Sequence, residues 1–108
     1  MASRDTVQAA LDVMILKIIS RQEPLHGYAI MSAIQEFGGD ALSVEEGSLY
    51  PALRRMEEAG WLRAEWISRN GRRARLYTLT RAGRKQLVAA QSHWRAATAA
   101  VNRVLKMA

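Results

Sequence analysis

Arginine side chains are concentrated in one part of this 108-residue sequence. Residues 54–85 hold ten of the sixteen basic residues but only three of the ten acidic ones, so this window carries a net charge of +7 and the rest of the chain −1. Nine of the ten are arginine, whose planar guanidinium grips phosphate through paired hydrogen bonds and can also read guanine edges. Together with a pI near 10.5, this clustering predicts a polyanionic partner, with nucleic acid ahead of an anionic membrane; a solvated charged face is the alternative.

Several of these arginines surround a predicted turn. Residues 61–68 and 74–79 alternate apolar and polar side chains, as half-buried strands do, with Leu62, Ala64 and Trp66 on one face. The Asn-Gly pair between them is the strongest short-range signal for a hairpin. We therefore predict a β-hairpin with a basic tip that contacts DNA, although a plain exposed turn would also carry these residues. The tip residues are Arg69, Asn70, Gly71, Arg72 and Arg73, with Arg75 just behind them.

Most of the segment GSLYPALRRMEEAGW is predicted to be helical, with Gly60 ending the helix. Its apolar stripe consists of Leu49, Leu53 and Met56. Ser43 and Glu46 match a capping box, which favours one helix over 44–59. Pro51 then lies in the second turn and distorts it, because proline has no N–H and crowds the preceding turn. A helix that begins near Ser48 is the alternative.

This helix offers a second candidate contact surface for DNA. The candidates are Ser48, Tyr50, Pro51, Arg54 and Arg55. Ser48 would otherwise serve as a local cap, Tyr50 as a half-buried core residue, and Pro51 mainly sets the shape of the helix. Neighbouring helical residues point about 100° apart, so only one of the two arginines is expected to touch phosphate. The other would be solvated or paired, for example through the i+4 relation of Arg54 and Glu58.

The order of the predicted elements along the chain indicates the fold. Apolar spacing predicts helices over 6–20 and 25–37, and Thr80 caps a long last helix. The order helix, helix, helix, hairpin, long helix predicts a mostly α fold with a small β-hairpin, namely a winged helix-turn-helix. In that fold the third helix enters the DNA major groove, and the hairpin reaches the backbone or the neighbouring minor groove.

The last helix carries an apolar seam that requires a partner. Its residues are spaced alternately three and four apart: Leu87, Ala90, Trp94, Ala97, Val101 and Val104. Such a seam packs on another helix, and a symmetric homodimer would supply one while pairing two reading heads on a palindromic operator. We therefore assign residues 1–79 to a winged helix-turn-helix DNA-binding domain. Residues 80–108 are assigned to a C-terminal dimerisation helix that forms one compact unit with the first helix.

The sequence carries no motif for catalysis or for a cofactor. There is no cysteine, the two histidines His26 and His93 lack partners at metal-ligand spacing, and neither a nucleophile motif nor a phosphate loop is present. We therefore expect no enzymatic activity, no cofactor and no metal. The apolar run over 11–19 is interrupted by Asp12 and Lys17 and is too short to span a bilayer. A cytoplasmic protein without a membrane partner is expected.

Three segments resemble the PadR family of bacterial transcription regulators: PLHGYAI, EEGSLYPALRRMEEAGWL and NGRRARLYTLTRAGRKQL. The similarity runs in register over roughly residues 7–90, with Met56 where leucine is usual and Leu76 where a second aromatic residue is common. The single C-terminal helix is similar to that of the family's compact subgroup. The resemblance implies a dimeric repressor. It also adds Tyr28, in the HGY motif, as a weaker contact to the DNA backbone, with a core role as the alternative.

The resemblance also implies a ligand site. Some compact members of the family bind planar drugs between a pair of tryptophans. Trp94 from both subunits is therefore expected to line a pocket for a small aromatic or hydrophobic effector, with ordinary packing as the alternative. Met14, Ile15 and Ile18 of the first helix are the expected additional walls. Two other functions stay open: a winged-helix module that binds RNA or a protein partner, and a drug-binding sensor whose DNA affinity is incidental.

Overall fold

The computed structural model describes residues 2–39, 41 and 44–108, and of residues 2–7 it describes the backbone. The elements in chain order are α1 (Ala2–Gln22), β1 (Leu25–His26), α2 (Gly27–Gly38), α3 (Glu46–Glu58), β2 (Leu62–Arg69), β3 (Arg72–Leu79) and α4 (Arg81–Leu105). The predicted fold, a mostly α winged helix-turn-helix with a small hairpin, is confirmed. No helix in these described ranges is long and apolar enough to cross a membrane.

The first three helices bury their apolar stripes against the base of the hairpin. The fully buried large side chains are Ile15, Leu16, Ile19, Ile30, Ile34, Leu49, Leu53 and Met56. The base of the hairpin adds Leu62, Tyr77 and Leu79 to the same cluster. Burial of one such aliphatic side chain contributes about 1.5–3 kcal/mol. This core fixes the position of α3, because the leucine and methionine stripe of α3 is buried in it.

A short strand precedes α2 and was not predicted. Leu25 and His26 pair antiparallel with Tyr77 and Leu76, so β1, β3 and β2 form a three-stranded sheet in that order. His26 is also the N-cap of α2, because its Nδ1 accepts from the Ala29 N–H at 3.2 Å. The helix predicted over 25–37 therefore begins two residues later in the structure, at Gly27, with His26 as its cap.

The predicted beginning of α3 at residue 44 is wrong, because Val44 and Glu45 are not helical and Glu45 is the N-cap. Ser43, the other half of the predicted capping box, lies outside the described residues. Pro51 lies inside the helix rather than starting it.

The carboxyl end of α3 follows the Schellman pattern. Gly60 adopts a φ of 84°, and its N–H donates to the Glu57 carbonyl at 3.0 Å. The N–H of Trp61 donates to the Met56 carbonyl, also at 3.0 Å. These bonds satisfy the last carbonyls of the helix and turn the chain directly into β2.

The hairpin is longer than predicted because its turn has only two residues, Asn70 and Gly71. Asn70 and Gly71 have φ angles of 54° and 74°, which are the values of a type I′ turn. Strand pairing consequently continues to the pair Arg69 and Arg72 at the tip. The Asn-Gly prediction is confirmed.

The predicted cap of α4 is confirmed. The Thr80 hydroxyl accepts from the Gly83 N–H at 3.0 Å and donates to the Gly60 carbonyl at 2.6 Å. The first half of the helix packs on α1, and Leu87 belongs to the core of its own chain. Leu87 is therefore not available as the predicted dimer contact. Beyond Trp94 every residue except Ala100 is exposed, so the second half of α4 projects from the body and the molecule extends over 60 × 30 × 26 Å.

Candidate nucleic-acid interface

A groove of about 550 Å³ lies between α3, the start of α2 and the inner face of the hairpin. Helix α3 contributes Tyr50, Arg54 and Glu57, and α2 with its cap contributes His26, Gly27 and Tyr28. The hairpin contributes Trp66, Arg73, Ala74, Arg75 and Tyr77. Aromatic rings and guanidinium groups thus share one concave surface. This combination suits the sugar-phosphate backbone, because guanidinium and hydroxyl groups donate to phosphate while the rings pack on sugars.

The α3 side of the groove follows from helical spacing. Tyr50, Arg54 and Glu57 occupy i, i+4 and i+7, a stripe adjacent to the buried one. The Tyr50 side chain is 44% exposed, and its ring lies against Gly27. A Cβ at position 27 would stand 2.7 Å from Tyr50 Cε1. Glycine in the HGY segment therefore makes room for the tyrosine, which the sequence did not reveal.

The two arginines of α3 have different surroundings. The Arg55 guanidinium donates to both carboxylate oxygens of Asp12 on α1, with Nη1–Oδ2 at 2.9 Å and Nη2–Oδ1 at 2.7 Å. The hydrogen bond with Asp12 raises the pKa of Arg55, partly opposed by burial. The prediction that Arg55 contacts DNA is withdrawn, because its side chain ties α3 to α1. The predicted pair of Arg54 with Glu58 is absent among the described contacts, and Arg54 is exposed at the groove.

We expect substitutions of the two arginines to separate stability from binding. Arg55→Ala should lower the free energy of unfolding by about 1–2 kcal/mol, because Asp12 loses a bidentate charged partner. Arg54→Ala should change stability by less than about 0.5 kcal/mol but weaken duplex binding about tenfold through loss of one phosphate contact. Urea denaturation and duplex titration of both variants test this. Equal losses of stability would contradict the assignment.

The arginines of the hairpin divide between its two faces. Cross-strand pairing places Trp66 opposite Arg75 and Ser68 opposite Arg73 on the groove side. Trp66 is 55% exposed, since the sheet has left the core at this point. The two arginines cover its ring, with Cζ of Arg73 4.4 Å and Cζ of Arg75 5.2 Å from the centroid. Trp66 and Arg75 were not among the predicted contacts, because alternation alone suggested that Trp66 continues the core face.

The tip of the hairpin extends the basic surface beyond the groove. Arg69 and Arg72 face away from Trp66, on the outer side of the hairpin. Both are exposed, as are Asn70 and Gly71 between them. No hydrogen bond or ion pair holds either guanidinium among the residues that the structure describes. The guanidinium groups at the tip are therefore free to contact the phosphates of a second stretch of the DNA backbone.

Three other predicted DNA contacts are exposed, and one of them lines the groove. Tyr28 is 65% exposed on its rim, which argues against the core alternative. Ser48 is exposed, and its N–H donates to the Glu45 carbonyl at 3.0 Å within the first turn of α3. Pro51 is exposed one turn after the start of the helix. Ser48 and Pro51 are not among the lining residues of the groove, so their contact with DNA stays a prediction.

The four residues predicted to line an effector pocket do not come together within one chain. Ile15 is fully buried and cannot contact a ligand. Met14 and Ile18 line an apolar cavity of about 510 Å³ between α1 and α2. Trp94 lines a separate cavity of about 330 Å³ between α1 and α4. The two cavities lie on different sides of α1, so within one chain Trp94 has other neighbours than those predicted, and a pocket shared by two subunits stays a prediction. Those neighbours are Ala9, Asp12, Gln86, Ala89, Ala90 and His93.

Comparisons with known proteins agree with this geometry. The sequence profile described as "Transcriptional regulator PadR-like family" matches residues 15–89. A PadR-like transcriptional regulator from Bacillus cereus is 27% identical, with a TM-score of 0.79 over 96% of this chain and 99% of that one. Protein smu.1704 from Streptococcus mutans is 29% identical, with a TM-score of 0.78 over 92% and 89% of the two chains.

A transcriptional regulator from Clostridium thermocellum shares the fold at 22% identity, with a TM-score of 0.85 over 94% of this chain and 99% of that one. No curated protein sequence matches the chain significantly.

Proposed function

The chain belongs to the PadR-like family of transcriptional regulators and is thus a DNA-binding regulator; from this premise we propose that it is a dimeric repressor of a palindromic operator, released by a small aromatic or hydrophobic effector. Residues 1–79 would bind DNA and residues 80–108 would join the two subunits. A cytoplasmic location follows from action on DNA.

The groove between α3 and the hairpin carries the proposed mode of binding. Guanidinium groups stand on both of its walls, with Arg54 on α3 and Arg73 on the hairpin. A phosphate backbone lying in the groove would accept from both walls while α3 enters the major groove. Tyr50 and Tyr28 add hydroxyl donors at the entrance. The exposed tip then reaches a neighbouring stretch of backbone through Arg69, Asn70, Gly71 and Arg72.

Two apolar surfaces support a homodimer. The end of α4 exposes Val101, Val104 and Leu105 by 56%, 64% and 75%. The open apolar cavity between α1 and α2 is bordered by Phe37, which is 72% exposed. Apolar surfaces of this kind are normally covered. In a two-fold dimer a second copy of the chain covers the α4 surface reciprocally. Of the predicted seam, Ala90, Trp94, Ala97, Val101 and Val104 stay in this proposal.

The cavity beside Trp94 supports the effector proposal. The indole ring of Trp94 is half-buried next to Ala9 and Ala90. These small side chains leave space along one flat face of the ring. The two-fold axis of a dimer would bring a second Trp94 towards the first. A planar aromatic molecule fits between two such rings, because offset stacking of aromatic rings is favourable.

Titration of fluorescent duplexes tests the DNA-binding proposal. The operator is expected to be a palindrome in the DNA that flanks the gene. The protein should bind a duplex with this palindrome at least about 10³-fold more tightly than a scrambled duplex. The logarithm of the binding constant should fall linearly with the logarithm of salt concentration. Equal affinity for scrambled DNA, or tighter binding of RNA, would favour the alternative of a module for RNA or a protein partner. Sedimentation should give twice the monomer mass of 12.1 kDa.

A planar aromatic dye tests the effector proposal. The dye should quench tryptophan emission and release the bound duplex, and Trp94→Ala should abolish both effects. Trp66→Phe is the matched control, because it removes a tryptophan outside the Trp94 cavity and should leave dye quenching in place. Quenching without release of the duplex would indicate a drug-binding protein whose sensing is not coupled to DNA.

A further inference from the structure

We infer that Glu57 and Arg75 form a clasp that holds the hairpin at a fixed angle to α3, so that an acidic residue in the DNA-facing groove strengthens DNA binding instead of opposing it. The inference rests on the proposed DNA contacts of α3 and the hairpin. It assigns a positioning role to Glu57, Arg75 and Trp66, none of which was predicted as a contact.

The clasp is a continuous chain of side-chain contacts from helix to hairpin. Arg75 Nη2 donates to Glu57 Oε2 at 2.6 Å. The same guanidinium lies 5.2 Å from the Trp66 ring centroid, and Arg73 lies 4.4 Å from that centroid. Three steps therefore connect α3 to Arg73, a residue proposed to contact DNA. The position of Arg73 depends on a ring that is itself held through Arg75.

The Glu57–Arg75 pair is partly shielded from water. The two side chains are 30% and 35% exposed, and the Arg75 Nε is enclosed without a described partner. A charged hydrogen bond in such surroundings is stronger than one between fully solvated groups. The guanidinium is therefore held by the carboxylate and the ring together, and little freedom is left to its head group.

No other hydrogen bond or ion pair joins α3 to the outer half of the hairpin within the described part of the chain. The base of the hairpin is fixed in the core through Leu62, Tyr77 and Leu79. Beyond Trp66 the two strands extend without a third one, because β1 pairs only with Leu76 and Tyr77. A two-stranded ribbon twists and bends more readily than a wider sheet. The clasp acts where the ribbon leaves the core, and it limits this bending.

Electrostatics and positioning predict opposite signs for loss of the Glu57 charge. A carboxylate near DNA repels phosphate, so its neutralisation should tighten binding if charge were its only effect. If Glu57 positions the hairpin, neutralisation should weaken binding, because Arg75 and Trp66 lose their fixed place. The number of phosphates contacted would also fall, which flattens the salt dependence.

Duplex titration of Glu57→Gln at several salt concentrations tests the inference. We expect binding to weaken by about 5- to 10-fold and the salt dependence to become less steep. Glu58→Gln is the matched control, since it makes the same change of charge at an exposed neighbour in the same helix. The control should bind as tightly as the wild type or more tightly. Tightening of Glu57→Gln in parallel with the control would overturn the clasp.

Three further variants keep the test independent of charge and of folding. Glu57→Asp keeps the charge but shortens the side chain by one methylene. A clasp therefore predicts weaker binding of the duplex, whereas an effect of charge alone predicts unchanged binding. In a cycle of Glu57→Gln and Arg75→Gln, the loss from the double variant should be smaller than the sum of the two single losses. Additive losses would count against the clasp.

Tryptophan emission separates the clasp from the proposed function. Glu57→Gln should shift the component that Trp66→Phe removes, because the ring loses an ordered guanidinium from its face. If wild-type protein bound no duplex specifically, the proposed function would fail, while this shift would still support the clasp. An unchanged Trp66 component in a variant with normal thermal stability would overturn the clasp even if DNA binding were confirmed.

Discussion

Replacement of Gly83 by alanine is expected to lower the free energy of unfolding by about 3 kcal/mol, the upper part of the range for overpacked sites. A Cβ at this position would lie 2.1 Å from the Trp61 carbonyl oxygen and 3.3 Å from Leu79 Cδ2. The oxygen cannot withdraw easily, because it accepts from the Thr80 N–H at 3.0 Å. The first turn of α4 must therefore move away from the hairpin or lose its cap. Chemical denaturation measures the loss.

Gly47→Ala is the matched control for this substitution. Gly47 is also helical, but nothing lies within 4 Å of the position that its Cβ would occupy. Alanine there should raise the free energy of unfolding by about 0.5–1 kcal/mol, because glycine is the poorer helix former. If Gly83→Ala were as well tolerated as Gly47→Ala, the close approach of α4 to the Trp61 carbonyl would be wrong.

Features set by neighbouring residues could be predicted from the sequence. Thr80 caps α4 because its hydroxyl reaches an N–H three residues later, a contact that depends on local chemistry alone. The hairpin follows from Asn70 and Gly71, since both adopt the positive φ that a two-residue turn requires. The apolar stripe of α3 likewise gave its buried face correctly. In each case the decisive interaction spans only a few residues.

Features set by distant residues could not be predicted. Strand β1 has two residues and exists only because β3 pairs with it. The ion pair that occupies Arg55 joins residues 43 positions apart, and spacing within α3 gives no sign of a partner on α1. Trp66 obeys the strand alternation but lies where the sheet has left the core, and alternation does not show where a core ends. The predicted DNA contacts therefore stay a prediction, to which the structure adds Trp66 and Arg75 as lining residues of the groove.

The double substitution Arg72→Ala with Arg73→Ala is expected to weaken binding to every duplex by about 30-fold near physiological salt. Loss of two phosphate contacts should reduce the slope of log binding constant against log salt by about 1.8, at roughly 0.9 for each phosphate. Palindromic and scrambled duplexes should lose the same factor, because phosphate contacts carry no sequence information. Lys85→Ala with Arg95→Ala removes the same charge from exposed positions of α4 and should leave the slope nearly unchanged.

The single variants then distinguish a contact residue from one that also positions the hairpin. Arg72 lies on the outer face at the tip, where it supplies charge alone. Arg73 covers the Trp66 ring at 4.4 Å, so its removal loses a contact and also loosens the surface that holds Arg75. We therefore expect Arg73→Ala to weaken binding more than Arg72→Ala does, although each removes one positive charge. If the two variants lost equal affinity and the double variant kept the wild-type salt slope, the hairpin would not be a DNA-contacting element.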